Sequence, residues 1–160
     1  MNWITRERPK TDRIASPWLI RRFIDPEAQF RFVPKDQVIS VAEQTGGRSF
    51  DAEGADFMHS VRNGVERCTF ETLIDQFGLG GDEALARLAR IVHAADVSSD
   101  LDSDPAGAGL LAIGVGGLAV ETDDHQLLDR ASFVYDALYA WCQLDVRQNV
   151  NDASRLGTPH

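Results

Sequence analysis

The segment DEALARLARIVHAADV, residues 82–97, decides the fold class. Its apolar side chains recur at the spacing of one helical face, at Leu85, Leu88, Val92 and Ala95. This period predicts an amphipathic α-helix with that face turned to a core. Asp96 falls at nearly the same helical angle, inside the apolar stripe. Because a buried carboxylate is costly when unpaired, we expect Asp96 to face an arginine, a backbone amide or a metal ion.

Helix-start and helix-stop signals continue on both sides of this segment. They predict further helices over residues 16–25, 35–44, 69–77, 105–118 and 123–142. Ser16 followed by Pro17 is a helix-start signal, since serine caps free amides and proline needs no amide partner. Pro26 predicts the helix end near Asp25, because the residue before a proline avoids helical geometry.

Strands are predicted only as short segments. Apolar runs at residues 2–5 and 30–33 indicate two strands, and residues 50–67 indicate an irregular stretch with one β-hairpin. The expected fold class is therefore α+β, a mainly helical single domain with a small β-sheet. We expect this domain over residues 1–147 and a flexible tail over residues 148–160.

Composition excludes several classes of protein. The chain has 160 residues and a net charge of −9, with 43% hydrophobic and 26% charged residues, which is typical of a globular domain. No apolar run is long enough to cross a membrane, and no signal peptide is recognisable at the start. Two cysteines are too few for a disulfide framework. We therefore expect a cytoplasmic protein with no membrane partner.

The charge is unevenly distributed along the chain. Residues 1–22 carry six basic and two acidic side chains, whereas the rest of the chain is strongly acidic. Arginine's planar fork suits oxyanions, so this segment predicts a small-oxyanion site. Its candidate residues share the first strand and the polar side of the following helix: Arg6, Arg13, Trp18, Arg21 and Arg22. The alternative is a solvated face whose arginines pair with acids elsewhere.

A metal site is the second candidate. His93 precedes Asp96 by three residues on the same helix, so both can face one ion. Mixed nitrogen and oxygen ligands suit zinc or iron, and three or four of them leave room for water or an anion. The candidate ligands are His59, Glu71, His93 and Asp96. The alternatives are a helix histidine without a metal, and an Asp96 paired with Arg13 or Arg90.

Other residues are secondary candidates. Cys68 lies before a predicted helix and beside Arg67, which are conditions that lower a thiol pKa, although a lone cysteine commonly serves only in packing. Asp124 and His125 lie at the start of the last helix, where capping alone explains an aspartate. Asp124 also points along the core-facing stripe, so it stays a candidate ligand.

The segment TRERPKTDRIASPWLIRRFIDPEA, residues 5–28, closely resembles the C-terminal domain of the ChrB-type chromate-resistance proteins of bacteria. The resemblance continues in order through FDAEGADFMH (50–59), ERCTFE (66–71), IVHAAD (91–96), DDH (123–125) and YDALYAWC (135–142). It covers about residues 3–142, and the chain is identified as a member of this family. The residues that match the family's motifs are Arg6, Asp12, Arg13, Trp18, Arg21, Arg22, His59, Asp96, Asp124 and His125.

The resemblance implies a role in the bacterial response to chromate stress. Full-length members are chromate-responsive regulators encoded beside chromate transporters, with a basic N-terminal region thought to contact DNA. This chain resembles the sensor or effector domain alone, so direct DNA binding is not expected of it. The family motif usually has a cysteine where this sequence has Ser16, so a redox function that depends on that thiol is not expected.

These observations lead to three hypotheses of different classes. The first is a chromate-resistance domain that binds a chromate-like or sulfate-like oxyanion, with a divalent metal as an addition. The second is a metal-dependent enzyme, hydrolytic or redox, on an unidentified substrate. The third is an interaction module or homodimer that uses Tyr139 and Trp141 near the end of the last helix.

Overall fold

The computed structural model describes the backbone of residues 1–156 and the side chains of residues 1–154. The strands are β1 Asn2–Arg6, β2 Gln29–Val33, β3 Arg48–Ser49, β4 Ser60–Arg62 and β5 Val65–Arg67. The α-helices are α1 Asp12–Leu19, α2 Val38–Thr45, α3 Thr69–Gln76, α4 Glu83–Asp96, α5 Gly107–Val120 and α6 Asp124–Leu156. A π-helical segment covers Ile20–Ile24, and 3₁₀ turns cover Lys35–Gln37 and Ser98–Ser103. The predicted class, mainly helical α+β with a small sheet, is confirmed.

The small sheet separates two apolar clusters. β1 is its central strand and pairs in parallel with β2 on one side and β3 on the other. Trp3 belongs to the main core under the helices, whereas Ile4 packs with Val38 and Ala42 of α2. The middle of β1 is buried on both faces. Its last residue, Arg6, is only half-buried and lies at the carboxyl edge of the sheet.

Helix α4 is central to the helical layer, where it contacts α3, α5 and α6. The four residues predicted for its core face, Leu85, Leu88, Val92 and Ala95, are all buried. Asp82 caps the helix, since its Oδ1 accepts the Leu85 amide at 2.8 Å. The hairpin predicted within residues 50–67 is confirmed as the antiparallel pair β4 and β5.

The first helix begins earlier than predicted. It starts at Asp12, after Thr11 with φ 47°, so Ser16 and Pro17 lie inside the helix instead of opening it. Ser16 is buried, and its hydroxyl donates to Asp12 Oδ1 at 3.0 Å instead of capping free amides. The predicted end near Asp25 is confirmed, because the π-helical segment that follows α1 stops at Ile24.

The last helix is longer than predicted. It continues to Leu156, so residues 148–156, expected as part of a flexible tail, are helical. Residues 157–160 of that predicted tail lie outside the described residues. None of the helices in the described part of the chain combines the length and apolarity that crossing a bilayer requires.

Candidate metal and oxyanion site

His59 lies at the centre of a group of carboxylates. Its Nε2 is 3.0 Å from Asp96 Oδ2, and 3.6 Å from both Asp12 Oδ2 and Asp51 Oδ1. Four separate segments supply these groups, since Asp12 opens α1, Asp51 follows β3, His59 precedes β4 and Asp96 ends α4. One ligand atom each from Asp12, His59 and Asp96 lies within 4.8 Å of the others. We call these three residues the first cluster.

Asp12 is the buried member of the first cluster. Its Oδ1 accepts the Phe70 amide at 2.9 Å, and its Oδ2 accepts the Thr69 amide at 2.7 Å. Both amides belong to the first turn of α3, where free donors and the helix dipole favour a negative charge. Burial nevertheless raises the pKa of Asp12 to about 6, although the hydrogen bond with His59 opposes this shift.

His59 connects the buried carboxylates to solvent. The hydrogen bonds with Asp12 and Asp96 raise the pKa of His59 to about 11, against the opposing effect of burial. Its side chain is 38% exposed, and its Nδ1 lies 3.4 Å from Glu66 Oε1. An open cavity of about 270 Å³ is lined by this histidine together with Arg6, Lys35, Asp51, Ala52, Glu53 and Met58.

Arg6 and Arg13 converge on Asp51 at the edge of this cavity. Arg6 Nη2 is 3.1 Å and Arg13 Nε is 3.2 Å from Asp51 Oδ2. The other oxygen of Asp51 accepts the Thr69 hydroxyl at 3.0 Å. Burial and the neighbouring Arg6 lower the pKa of Arg13. The structure thus brings two predicted anion-binding arginines beside His59, with Asp51 between them.

The other predicted anion-binding residues are engaged with α6. Trp18 is 4% exposed, and its indole Nε1 donates to Asp136 Oδ1 at 2.9 Å. Arg22 pairs with the same aspartate at 3.3 Å, and Arg21 pairs with Asp129 at 3.4 Å. Trp18 lies beside Arg22 as expected, with the guanidinium carbon 5.7 Å from the indole centroid. The expectation that its face is open and polar is wrong, because α6 packs against α1 and buries the indole.

The four predicted metal ligands do not form one site. His59 and Asp96 belong to the first cluster, whereas Glu71 and His93 lie together with Cys68 in a second cluster. His93 Nδ1 is 2.7 Å from Glu71 Oε2, and His93 Nε2 is 2.6 Å from Asp100 Oδ2. Partial burial lowers the pKa of His93, but the hydrogen bonds to Asp100 and Glu71 outweigh it and the pKa is raised.

Cys68 does not have the lowered pKa that its position before a helix and beside Arg67 allowed, and its burial agrees with the alternative of a packing role. It is fully buried, and burial raises the pKa of its thiol, with the carboxylates of Asp12 and Glu71 adding to the shift. Arg67, the expected source of positive charge, instead pairs with Asp75 at 3.0 Å. The α3 N-terminus directs its first amides to Asp12, and these are not available to the thiol.

A family model for the ChrB C-terminal domain matches residues 3–142. The chain belongs to the ChrB C-terminal domain family. Protein ChrB of Cupriavidus metallidurans is 37% identical to it over 137 residues, covering 86% of this chain and 39% of that protein. The chain therefore spans about two fifths of the length of this relative. No solved structure matches the chain.

Membership in the ChrB family confirms the resemblance found in the sequence and links the chain to chromate resistance. Several residues of the matching motifs are now placed. Arg6, Asp12, Arg13, His59 and Asp96 lie in or beside the first cluster. Ser16, at the position where the family usually has a cysteine, donates to Asp12 and therefore lies next to the first cluster.

Asp124 and His125 of the ChrB motif DDH have contacts of their own. Asp124 Oδ2 accepts the Arg8 amide at 2.9 Å, and its Oδ1 is 3.3 Å from the Arg8 guanidinium. The His125 ring packs edge-on against Phe32, with ring centroids 5.2 Å apart. These contacts attach the start of α6 to the segment after β1, so tethering accounts for Asp124. The capping expected of it falls to Asp123, whose Oδ1 accepts the Gln126 amide at 2.9 Å.

Two functional candidates were missed in the sequence of this ChrB domain, namely Asp51 and Asp100. Asp51 lies in the motif FDAEGADFMH and has φ 50°, a conformation that aspartate tolerates better than most residues. Its pairing with Arg6 joins residues far apart in the sequence, so no spacing rule could reveal it. Asp100 lies between two predicted helices, and a 3₁₀ turn directs it to His93.

Proposed function

We propose that this domain binds zinc or iron through Asp12, His59 and Asp96, and binds a chromate-like or sulfate-like oxyanion beside it. The observation that carries the proposal is the position of His59 Nε2, 3.0–3.6 Å from the first cluster's two carboxylates and from Asp51. Arg6 and Arg13 both form ion pairs with that same Asp51. The domain would act as a cytoplasmic sensor or effector in chromate resistance.

The chemistry of the first cluster supports a metal. One imidazole nitrogen and two carboxylates form a set that suits zinc or iron, and three protein ligands leave a coordination position open. An ion would take the place of the proton between His59 Nε2 and Asp96. The Nδ1 of the same ring could then donate to Glu66, as carboxylates beside metal-bound histidines commonly accept.

The arginines support an oxyanion in the adjoining cavity. Arg6 is 32% exposed at its side chain, and Lys35 lies on the same cavity wall, so both can meet an anion from solvent. Arg13 is more buried, pairs with Asp51 through its Nε and donates from Nη1 to the Glu7 carbonyl at 3.1 Å. Forked guanidinium donors match the oxygens of a tetrahedral anion. A metal ion in the first cluster would add a further positive charge.

Titration calorimetry of the zinc-loaded protein with chromate and with sulfate tests this proposal. We expect the wild type to bind, and Arg6→Ala to bind at least tenfold more weakly because a charge-assisted contact is lost. Arg21→Ala is the matched control, since Arg21 pairs with Asp129 of α6 and should bind like the wild type. Negligible heats for all three proteins, or a loss confined to Arg21→Ala, would contradict the oxyanion site.

One observation favours the second candidate function, a metal-dependent enzyme of the hydrolytic or redox class. His59 is open to solvent, and a metal with only three protein ligands can hold the water that catalytic sites use. Hydrolysis of an aryl phosphate by the zinc-loaded protein, absent in His59→Ala, would favour the enzyme. Oxyanion binding without any turnover would favour the binding domain.

A further inference from the structure

The second cluster, defined as Cys68, Glu71 and His93 with Asp100 behind His93, is separate from the proposed site. One ligand atom from each of the first three residues lies within 4.8 Å of the others. We propose that this cluster is a second metal site, with thiolate, carboxylate and imidazole ligands, that goes beyond the oxyanion function. Asp100 would hold the imidazole in position and would not itself be a ligand.

The two ring nitrogens of His93 support this assignment. Nδ1 lies 2.7 Å from Glu71 Oε2, and Nε2 lies 2.6 Å from Asp100 Oδ2. A neutral imidazole has one N–H and donates to only one of these two carboxylates, whereas an imidazolium has two and donates to both. A cation between Nδ1 and Glu71 satisfies both sides, because Nε2–H then donates to Asp100. Metal-bound histidines commonly have a carboxylate on the far nitrogen in this way.

The ligands are held by regular structure. Cys68 directly precedes α3 and Glu71 lies in its first turn, so the two side chains share one side of the helix start. The Cys68 amide donates to Glu71 Oε2 at 2.9 Å, which fixes that carboxylate beside the thiol. His93 comes from the last turn of α4, which packs against α3. The site therefore connects two helices of the core.

The donor types narrow the choice of metal. A thiolate with an imidazole and a single carboxylate suits zinc or ferrous iron, whereas magnesium and calcium prefer oxygen ligands alone. Cys68 is fully buried, and the side chains of Glu71 and His93 are only 14% and 13% exposed. This enclosed set offers three protein ligands, so a fourth position would be left for water or an anion.

Cobalt titration followed by absorption spectroscopy tests this second site. A Co²⁺ ion bound to Cys68 would show a sulfur-to-cobalt charge-transfer band in the near ultraviolet, which oxygen and nitrogen ligands do not give. We expect this band in the wild type and its loss in both Cys68→Ser and His93→Ala. Cys142→Ser is the matched control, because Cys142 is also buried but lies on α6, and it should keep the band.

Two further variants keep the test decisive. His59→Ala removes the first cluster and should keep the band, so failure of the proposed function would not remove it. Asp100→Asn changes a side chain that is 41% exposed and should leave folding intact. We expect it to weaken cobalt affinity about 10–100-fold, as loss of such partners commonly does. No band in the wild type, or a band that survives in Cys68→Ser, would overturn the second site.

Discussion

Asp12 has two roles: its hydrogen bonds stabilise the fold, and its carboxylate belongs to the first cluster. Its two oxygens accept the Ser16 hydroxyl and the first two amides of α3, so one side chain ties α1 to α3. Its Oδ2 also lies 3.6 Å from His59 Nε2. A change at this position should therefore affect stability as well as metal binding, and the two effects need separate measurements.

We predict that Asp12→Asn lowers the free energy of unfolding by about 3 kcal/mol, measured by urea denaturation of the metal-free protein. An asparagine has one acceptor oxygen, so its NH₂ group would face a buried amide that loses its partner. Ser16→Ala is the control and should cost about 1 kcal/mol, because it removes one hydroxyl hydrogen bond. Equal stabilities for wild type and Asp12→Asn would contradict this role.

Some of the site residues could be predicted from the sequence, and others could not. Asp96 was found because its helical angle placed a carboxylate on an apolar stripe. It is half-buried, and its partner is His59 instead of the expected Arg13 or Arg90. Asp12 was found only through the family motif, since nothing local marks it as buried. Asp51 was missed because its partners, Arg6, Arg13 and Thr69, come from distant segments.

Helix α5 shows how a glycine position sets the distance between two elements. The helix is apolar around its whole circumference and contacts α4. A Cβ added at Gly107 would lie 2.6 Å from the Ala94 Cβ, whereas one added at Gly109 would meet nothing within 4 Å. Position 107 therefore requires glycine for close packing of the two helices, whereas position 109 has room for a side chain.

We predict opposite signs for two alanine substitutions in this helix. Gly107→Ala should lower the free energy of unfolding by about 1–3 kcal/mol, because the backbones of α4 and α5 must separate. Gly109→Ala should raise it by about 0.5–1 kcal/mol, because alanine favours the helical state. Thermal or urea unfolding of both variants measures these effects. Equal effects of the same sign would contradict the close contact at Gly107.

Periodicity predicted the helices better than their ends. The predicted bounds of α4 differ from the observed ones by one residue at each end, because the apolar spacing and the capping residue Asp82 indicate the same helix start. The predicted start of α1 was wrong because Ser16 followed by Pro17 resembles a helix start. In the structure both residues lie inside the helix, and the Ser16 hydroxyl donates to the Asp12 carboxylate. The predicted end of α6 was wrong because the helix continues to Leu156, where Val146, Val150 and Ala153 keep a helical spacing and line a cavity against α4.

For the molecule as a whole, the first cluster gathers α1, the segment before β4 and the end of α4. A bound ion would therefore stabilise the entire domain. Tyr139 and Trp141, proposed from the sequence as a shared partner surface, differ in exposure. Tyr139 is buried and donates to Asp82 Oδ2 at 2.6 Å, whereas Trp141 is 46% exposed beneath Arg87. Self-association stays an expectation.

We predict that zinc raises the free energy of unfolding of the wild type, by about 2.7 kcal/mol for each occupied site at a free concentration 100 times its dissociation constant. A double variant, His59→Ala with Cys68→Ser, should show no such increase, since one ligand is removed from each cluster. Urea unfolding with and without a chelator measures the difference. The same zinc-dependent gain in wild type and double variant would contradict metal binding at these clusters.

The contacts between the first and last segments have a consequence for synthesis of the chain. The Tyr135 hydroxyl donates to the Thr11 carbonyl, Trp18 donates to Asp136, and the Arg8 amide donates to Asp124. A ribosome adds about 5–20 residues per second, so Asp136 is synthesised on the order of 10 s after Trp18. During that interval its indole stays uncovered by α6. The pairing of Trp18 with Asp136 can therefore form only after α6 has left the exit tunnel.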